Sequence, residues 1–421
     1  MLTDPTYLSL FIIALSAGLF LLVYFQRQPF ALFILALFAY VSEALLGTGA
    51  LNIGLGSFSV SMMDMLAFFM IVLAGVRLIF YRGWARLTIL LVSIIFVLLL
   101  ISWLRGIELF GIQRSTNAFR AYFYFFAVLL FTISLRYSAD FFRRFVLWLS
   151  ACGWALIAIA LVRWVFVALG LASSINWTSA SGFMTRVLNA TNALFLLQVL
   201  ILNGYTRCES RKIFLSRFLP YIFIPAILIL QHRSVWGALF FVAILILFLE
   251  RRIGGIFAVG LLILAGLAVL IFDGFTLSAN TLAGTFLDLG SFNWRLQNWL
   301  LLLDPKRFLS TLDLFIGQPF GTDYVRYAAG AEYAITFSAH NLYLQTFLNV
   351  GGLGLAFLLV LYGYATLKLW RLRRSKISRG FIALLAVQLV YGIAYSMSYE
   401  QGLILGLALL FIAGQNQVET I

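Results

Sequence analysis

Residues 86–104 read RLTILLVSIIFVLLLISWL, an apolar run in which the only charged residue, Arg86, comes first. A helix of about 20 apolar residues crosses the hydrocarbon core of a bilayer. The whole chain has this character, because 63% of its 421 residues are hydrophobic, 10% are charged and its mean hydropathy is +1.03. A soluble core cannot bury that much apolar surface, so the sequence predicts a polytopic membrane protein.

Similar runs recur along the chain and predict 12–13 transmembrane helices. They lie at residues 7–25, 29–47, 60–81, 86–104, 118–137, 145–170, 189–204, 213–231, 234–250, 253–273, 341–367, 379–397 and 400–414. The last two are short and closely joined, which leaves twelve and thirteen spans both open. The runs show almost no alternation of polar and apolar residues, which argues against a β-barrel and predicts an all-α fold.

One long loop divides the chain into three parts. Residues 1–273 hold ten predicted spans, residues 274–340 form the loop, and residues 341–421 hold the C-terminal spans. Within the loop, SFNWRLQNWLLLL at 291–303 predicts a short helix that lies on the membrane.

The basic residues are unevenly distributed between alternate loops. One set of loops holds 19 of the 29 Lys and Arg residues and is assigned to the cytoplasm, so the net charge of +14 indicates membrane orientation rather than nucleic-acid binding. The other ten, nine of them arginine, lie at or near the outer face: Arg105, Arg114, Arg120, Arg163, Arg186, Arg233, Arg295, Lys306, Arg307 and Arg326. Arginine there favours bidentate contact with phosphate or carboxylate.

Some of these outer cations have a simpler explanation. Arg307 and Arg326 have Asp304, Asp313 and Asp323 nearby in the loop, so we expect them to pair with acidic residues or to extend to the interface. For Arg163, inside a predicted span, a structural pairing and a functional role are equally supported. Arg233 lies in QHRSVWGAL (231–239), a tight turn between spans, where a lipid-linked phosphate is a natural partner.

The chain contains two histidines, His232 and His340. His340 opens a span in SAHNLYLQTFLNVGGLG (338–354), where the positive end of the helix favours the neutral imidazole that a general base requires. Asn341, Gln345 and Asn349 follow at four-residue intervals and predict a polar stripe beside it. His232 is the alternative base, since the neighbouring cation also favours its neutral form.

Arg295 and Trp299 are spaced i,i+4 in the loop helix and share one face. Such a pair suits a diphosphate beside a sugar or prenyl group, although an interfacial anchor has the same pattern. No DxD pair, HExxH, GxSxG or P-loop occurs, so we predict no metal and no cofactor. Glu43, Asp64 and Glu400 lie in or at span ends, where we expect them to pair with buried cations.

Taken in order, three motifs resemble those of the O-antigen ligase and polymerase superfamily of bacterial envelope glycosyltransferases. The GQPFGTDY string at 317–324 and TRVLNATNALF at 185–195 are also similar to family segments, and the close resemblance covers residues 230–360. The motifs are Arg233-Ser234, Arg295 with Trp299, and His340-Asn341 with Leu344-Gln345 leading into Gly351, Gly352 and Gly354.

The resemblance implies a GT-C-like helical fold in the bacterial inner membrane, with metal-independent transfer at the periplasmic face. It implies an undecaprenyl-diphosphate-linked glycan donor, with His340 as the base and with Arg233 and Arg295 holding the diphosphate. Arg120 and Arg186 are further candidates for the same cluster, and Trp299, Asn341 and Gln345 for substrate binding. The chain departs from the family at His232, where small or hydroxyl residues are usual, and in its odd span count.

Several functions fit this resemblance. The first is a ligase that moves a finished glycan onto lipid A–core, and the second is a polymerase that extends O-antigen or exopolysaccharide with the same donor. A third is glycan transfer to protein. A flippase or transporter is less consistent with the sequence, because it shows no internal repeat of span patterns and no matched pair of broken helices.

Overall fold

The computed structural model of the chain describes residues 5–46, 52–55, 58–80, 86–171, 186–206, 214–230, 232–251, 290–304, 308, 310–323 and 339–418. These residues form fourteen α-helices and one β-hairpin. The helices are α1 (Pro5–Arg27), α2 (Pro29–Leu46), α3 (Met62–Phe80), α4 (Arg86–Phe110), α5 (Ile112–Ile133), α6 (Ala139–Ala168), α7 (Ala190–Thr206), α8 (Phe214–Ile229), α9 (Arg233–Leu249), α10 (Gly290–Leu302), α11 (Thr311–Ile316), α12 (Leu342–Arg371), α13 (Lys376–Gly392) and α14 (Tyr399–Val418).

The helices confirm the prediction of a mainly helical, multi-pass membrane protein. Among the described residues, α2, α3, α4, α5, α6 and α12 are long and apolar enough to cross a membrane, and α7, α8, α9 and α14 contain shorter apolar segments. Twelve of the thirteen predicted spans overlap a helix, and the thirteenth, 253–273, lies outside the described residues. Helices suit this environment because each satisfies its own backbone hydrogen bonds.

Two local features were missed by the sequence analysis. Residues Asn52–Leu55 (β1) and Phe58–Ser61 (β2) pair as an antiparallel hairpin, so the described chain is not purely α-helical. Residues 105–117, which lie between two predicted spans, are almost entirely helical. Only Gly111, with a φ of 80°, separates α4 from α5. Hydropathy marks where the apolar run ends, whereas the helix continues beyond it.

The parts of α4 and α5 that extend beyond the predicted spans carry arginines that form ion pairs with the long loop. Arg105 forms an ion pair of 2.6 Å with the buried Asp313, and Arg114 forms one of 2.5 Å with Asp323. Pairing of the loop cations Arg307 and Arg326 with these aspartates stays a prediction. Arg307 and Arg326, the expected partners, lie outside the described residues.

Helices α5 and α14 pack closely against each other. Gly402 and Gly406 face α5, where a Cβ atom would lie 2.3 Å from the carbonyl oxygen of Phe125 and 2.8 Å from Cβ of Thr132, respectively. Small residues spaced by four let two backbones approach closely, which is the main source of helix association in a bilayer.

A non-helical segment, Gly317 to Phe320, is buried between α4 and α12. The amide of Gln318 donates to the carbonyl of Leu348 over 2.6 Å, and the Ser102 hydroxyl donates to the carbonyl of Gln318 over 2.8 Å. Helix α12 is interrupted at Gly351, with φ 72° and ψ −178°, where a Cβ atom would lie 2.1 Å from the carbonyl oxygen of Phe315. The glycine therefore allows the loop backbone to approach α12 closely.

We expect Gly351→Ala to lower the free energy of unfolding by about 3 kcal/mol, because it combines a left-handed backbone with a forced backbone contact. Gly363→Ala on the same helix is the matched control, since a Cβ atom there meets nothing within 4 Å. Thermal denaturation of the two variants in detergent gives the comparison. Equal denaturation midpoints would contradict the packing described for Gly351.

Candidate functional site

Several elements meet at one end of the helical bundle. Helices α7, α9 and α12 begin at this end, called the site end, and α13 ends there. Arg186 precedes α7, Arg233 is the first residue of α9, Arg295 lies on α10 and Tyr395 follows α13. The three arginines and this tyrosine are called the arginine cluster.

The members of the arginine cluster act on one another electrostatically. Burial lowers the pKa of Arg186 from its ordinary value, the positive charges of Arg233 and Arg295 lower it further, and Tyr395 opposes the shift. Like charges that influence one another in this way lie within a short range in a medium of reduced dielectric. The structure thus brings together three arginines that are 47 and 62 residues apart in sequence, from 186 to 233 and from 233 to 295.

Arg295 is placed on an aromatic support. Its guanidinium carbon lies 5.9 Å from the ring centroid of Tyr395, and that ring stacks on the buried Tyr391 with centroids 4.7 Å apart. A cation over an aromatic face is attracted by the ring quadrupole. Within the described structure, the half-buried Arg295 makes no hydrogen bond or ion pair, so its N–H groups are available to a ligand.

His340 is held between two anchored neighbours. The indole nitrogen of Trp299 donates to the carbonyl of Ala339 over 2.8 Å, and Oδ1 of Asn341 accepts from the amide of Leu344 over 3.0 Å, which caps α12. His340 itself is half-buried and has a φ of 45°, a left-handed conformation that costs about 1–2 kcal/mol for a residue with a side chain. Strained residues of this kind cluster at functional sites.

Helix α10 links His340 to Arg295. Trp299 packs against a small cluster containing Leu302, Ala339 and Leu344, and Arg295 lies one turn earlier on the same helix. Trp299 is therefore an anchor that fixes the loop helix to the chain before His340. The substrate-binding role of Trp299 stays a prediction.

The remaining predicted residues have different surroundings. Asn341 acts as the helix cap, while Gln345, one turn further on, has a buried Oε1 with no hydrogen-bond partner among the described residues. Arg120 forms an ion pair of 3.1 Å with Asp64 and bonds the carbonyl of Ser59, so it supports the β-hairpin. It is not among the groups that shift the pKa of Arg186.

His232 and Arg163 hold the segment that carries Arg186. The Nε2–H of His232 donates to the carbonyl of Leu188 over 2.9 Å, and Arg163 donates to the carbonyl of Val187 over 2.8 Å. Burial lowers the pKa of His232 to about 4. His232 is buried and one of its ring nitrogens is engaged, which favours a positioning role for it and leaves the half-exposed His340 as the candidate base.

Sequence reasoning missed the tyrosines under the arginine cluster, because Tyr391 and Tyr395 belong to no motif. It also predicted a buried cation beside Glu400. Instead, this carboxyl group is 1% exposed and lies near Tyr40, Ser398 and Glu43. Asp64, in contrast, does pair with a cation, Arg120, as predicted.

No protein-family model matches the chain, and no curated protein matches its sequence. In the part of the chain that the structure describes, no group of three or more His, Cys, Asp or Glu side chains is placed to hold a metal ion.

The low pKa of His232 predicts that stability depends on pH. Between its ordinary value of about 6.5 and its folded value of about 4, the unfolded chain binds a proton that the folded chain does not, so stability falls as the pH falls through this window. The loss reaches at most about 3 kcal/mol at the acid end. The variant His232→Asn keeps a donor for Leu188 without titrating, so its thermal midpoint is expected to change less with pH. Parallel pH profiles for the two proteins would refute this assignment.

Proposed function

We propose that this protein transfers a glycan from an undecaprenyl-diphosphate-linked donor to an acceptor hydroxyl at the outer face of the membrane, as an O-antigen ligase acting on lipid A–core. The observation that carries the proposal is the convergence of Arg186, Arg233 and Arg295 at the end of the bundle where His340 begins α12. The resemblance of the motifs to the ligase and polymerase superfamily supports the same chemistry.

A diphosphate suits the arginine cluster electrostatically. Three cations close together repel one another, and an anion of two or more charges between them removes that cost. Arg295 has a guanidinium fork available for bidentate contact with phosphate oxygens. A lipid-linked diphosphate is favoured over a soluble one, because α9 and α12 are apolar helices that begin at this end of the bundle.

The start of α9 adds a second feature that favours an anion. Among the described residues, no side chain caps this helix, and the buried hydroxyl of its second residue, Ser234, has no hydrogen-bond partner. The positive end of a helix and its unbonded amides form a ready anion site. Arg233-Ser234 therefore contributes a guanidinium, a hydroxyl and the helix terminus to one phosphate group.

The proposed reaction is a single displacement at the anomeric carbon of the donor sugar. His340 removes the proton of the acceptor hydroxyl as its oxygen bonds to that carbon, and the bond to the diphosphate oxygen breaks. The undecaprenyl diphosphate leaves with the bonding electrons, and the arginines stabilise the charge that develops on it. Because a sugar diphosphate is already a good leaving group, positioning and charge stabilisation account for most of the catalysis.

We expect His340→Ala to lower the transfer rate by about 10²–10⁴-fold through loss of the base, and Arg295→Ala by about 10²-fold through loss of charge stabilisation. Arg295→Lys should recover only part of the rate, because lysine keeps the charge and loses the fork. The assay is glycan transfer by purified protein in liposomes with the lipid-linked donor.

Arg143→Ala is the matched control for removing one arginine. Arg143 is exposed on the first turn of α6 and pairs with Asp140, at the opposite end of the helix from Arg163. Wild-type rates in both His340→Ala and Arg295→Ala, with folding intact, would overturn the proposed site.

The identity of the acceptor distinguishes a ligase from a polymerase, since both enzymes use the same donor. We expect the purified protein to extend lipid A–core when lipid A–core and a lipid-linked glycan acceptor are supplied together with a lipid-linked donor. Extension of the lipid-linked glycan alone would make it a polymerase instead. Movement of the donor across the bilayer without a new glycosidic bond would favour a transporter.

A further inference from the structure

A basic cavity lies at the opposite end of the bundle, where α9 and α12 end and α13 begins. It has a volume of about 480 Å³ and is formed by two chain segments that are far apart in sequence. Its lining residues are Leu249, Glu250, Arg251, Arg371, Arg373, Arg374 and Arg379.

The charges in the basic cavity do not cancel. Arg379 pairs with Glu250, the one carboxylate among the described lining residues, over 2.9 Å, and Arg373 donates to the carbonyl of Trp370. Within the described residues, the side chains of the other three make no hydrogen bond or ion pair: Arg251, Arg371 and Arg374. The excess of basic residues in loops on one side of a membrane explains the sign of this charge, but it does not explain why guanidinium groups from two segments converge on one cavity.

An apolar groove adjoins the basic cavity. This groove, of about 550 Å³, runs between α7, α8 and α9 and is lined by residues such as Leu200, Ile224 and Val242. It ends at Glu250 and Lys376, and Glu250 also lines the basic cavity. The structure therefore places an apolar groove between hydrophobic helices next to a basic cavity, and this arrangement matches an amphipathic anion.

The start of α13 adds to the attraction for anions. Its cap residue, Ser375, makes no side-chain hydrogen bond to the helix, and the helix is 17 residues long. Its positive end thus faces the connection that supplies Arg373 and Arg374. Trp370 is 40% exposed beside them, which is typical of a residue at the boundary between the apolar core and water.

We propose that these two cavities together bind one anionic phospholipid, with its phosphate in the basic cavity and an acyl chain in the groove between α7, α8 and α9. Guanidinium groups bind phosphate oxygens in bidentate geometry, and basic recesses between transmembrane helices hold phospholipid head groups. The bound lipid fills the space between α7 and α9 and neutralises the cations that these segments bring together. This site is separate from the arginine cluster and does not depend on the proposed transfer reaction.

The test uses the purified full-length chain in neutral detergent, titrated with phosphatidylglycerol and followed by native mass spectrometry. We expect phosphatidylglycerol to bind and phosphatidylcholine to bind far less. The double variant Arg371→Gln/Arg374→Gln should weaken phosphatidylglycerol binding by about tenfold or more, because it removes two cations near the phosphate. The control Arg143→Gln/Arg144→Gln removes the same charge from an exposed turn outside the cavity and should bind as the wild type does.

A second variant tests the groove without changing the charge. Gly204 lines the groove and has open space at its Cβ position, so Gly204→Phe fills the groove from a helix that tolerates the side chain. It should weaken phospholipid binding while leaving the binding of inorganic diphosphate unchanged.

Three outcomes would overturn the proposal. The first is equal phosphatidylglycerol binding by the wild type and the double arginine variant. The second is unchanged phospholipid binding in Gly204→Phe. The third is diphosphate binding as tight as phospholipid binding, which would make the cavity a site for soluble anions.

Discussion

The buried segment Gly317 to Phe320 is the contact on which the position of the site depends. Non-helical backbone at membrane depth must find hydrogen-bond partners inside the protein. The segment forms hydrogen bonds on both sides, with the carbonyl of Leu348 on α12 and with the hydroxyl and carbonyl of Ser102 on α4. The interruption of α12 at Gly351 makes room for the end of α11, which leads into this segment, and Gly317 lies against the backbone of Asn349 and Val350, so the kink in α12 and the inserted loop depend on each other.

The inserted loop and its flanking helices determine what surrounds the start of α12. The ion pair of Arg105 with Asp313 fixes α11 to α4, and Trp299 fixes α10 to the carbonyl of Ala339. The residue between these anchors and the cap of α12 is His340, in a left-handed conformation. The chain is therefore anchored on both sides of His340, at Ala339 and at Asn341.

The described arginines differ in whether a carboxylate neutralises them. Arg105, Arg114 and Arg120 each pair with an aspartate and serve the architecture. Arg295 at the site end and Arg374 at the opposite end have neither a hydrogen bond nor an ion pair in the described structure. A cation that is kept close to other cations without a carboxylate lowers stability through repulsion, and a bound anion would remove this penalty.

The sequence by itself determined the helical spans, because hydropathy and backbone satisfaction in a bilayer act locally along the chain. It also located the start of α12 beside His340, since the apolar run begins there, whereas the role of Asn341 as the helix cap came from the structure. Only the tertiary structure decided which arginines are structural. Arg105 pairs with Asp313, 208 residues away in sequence, whereas the guanidinium of Arg295 lies over the ring of Tyr395. Partners so distant in sequence leave no local pattern, because the packing of α4, α10 and α13 brings them together only when the whole bundle is formed.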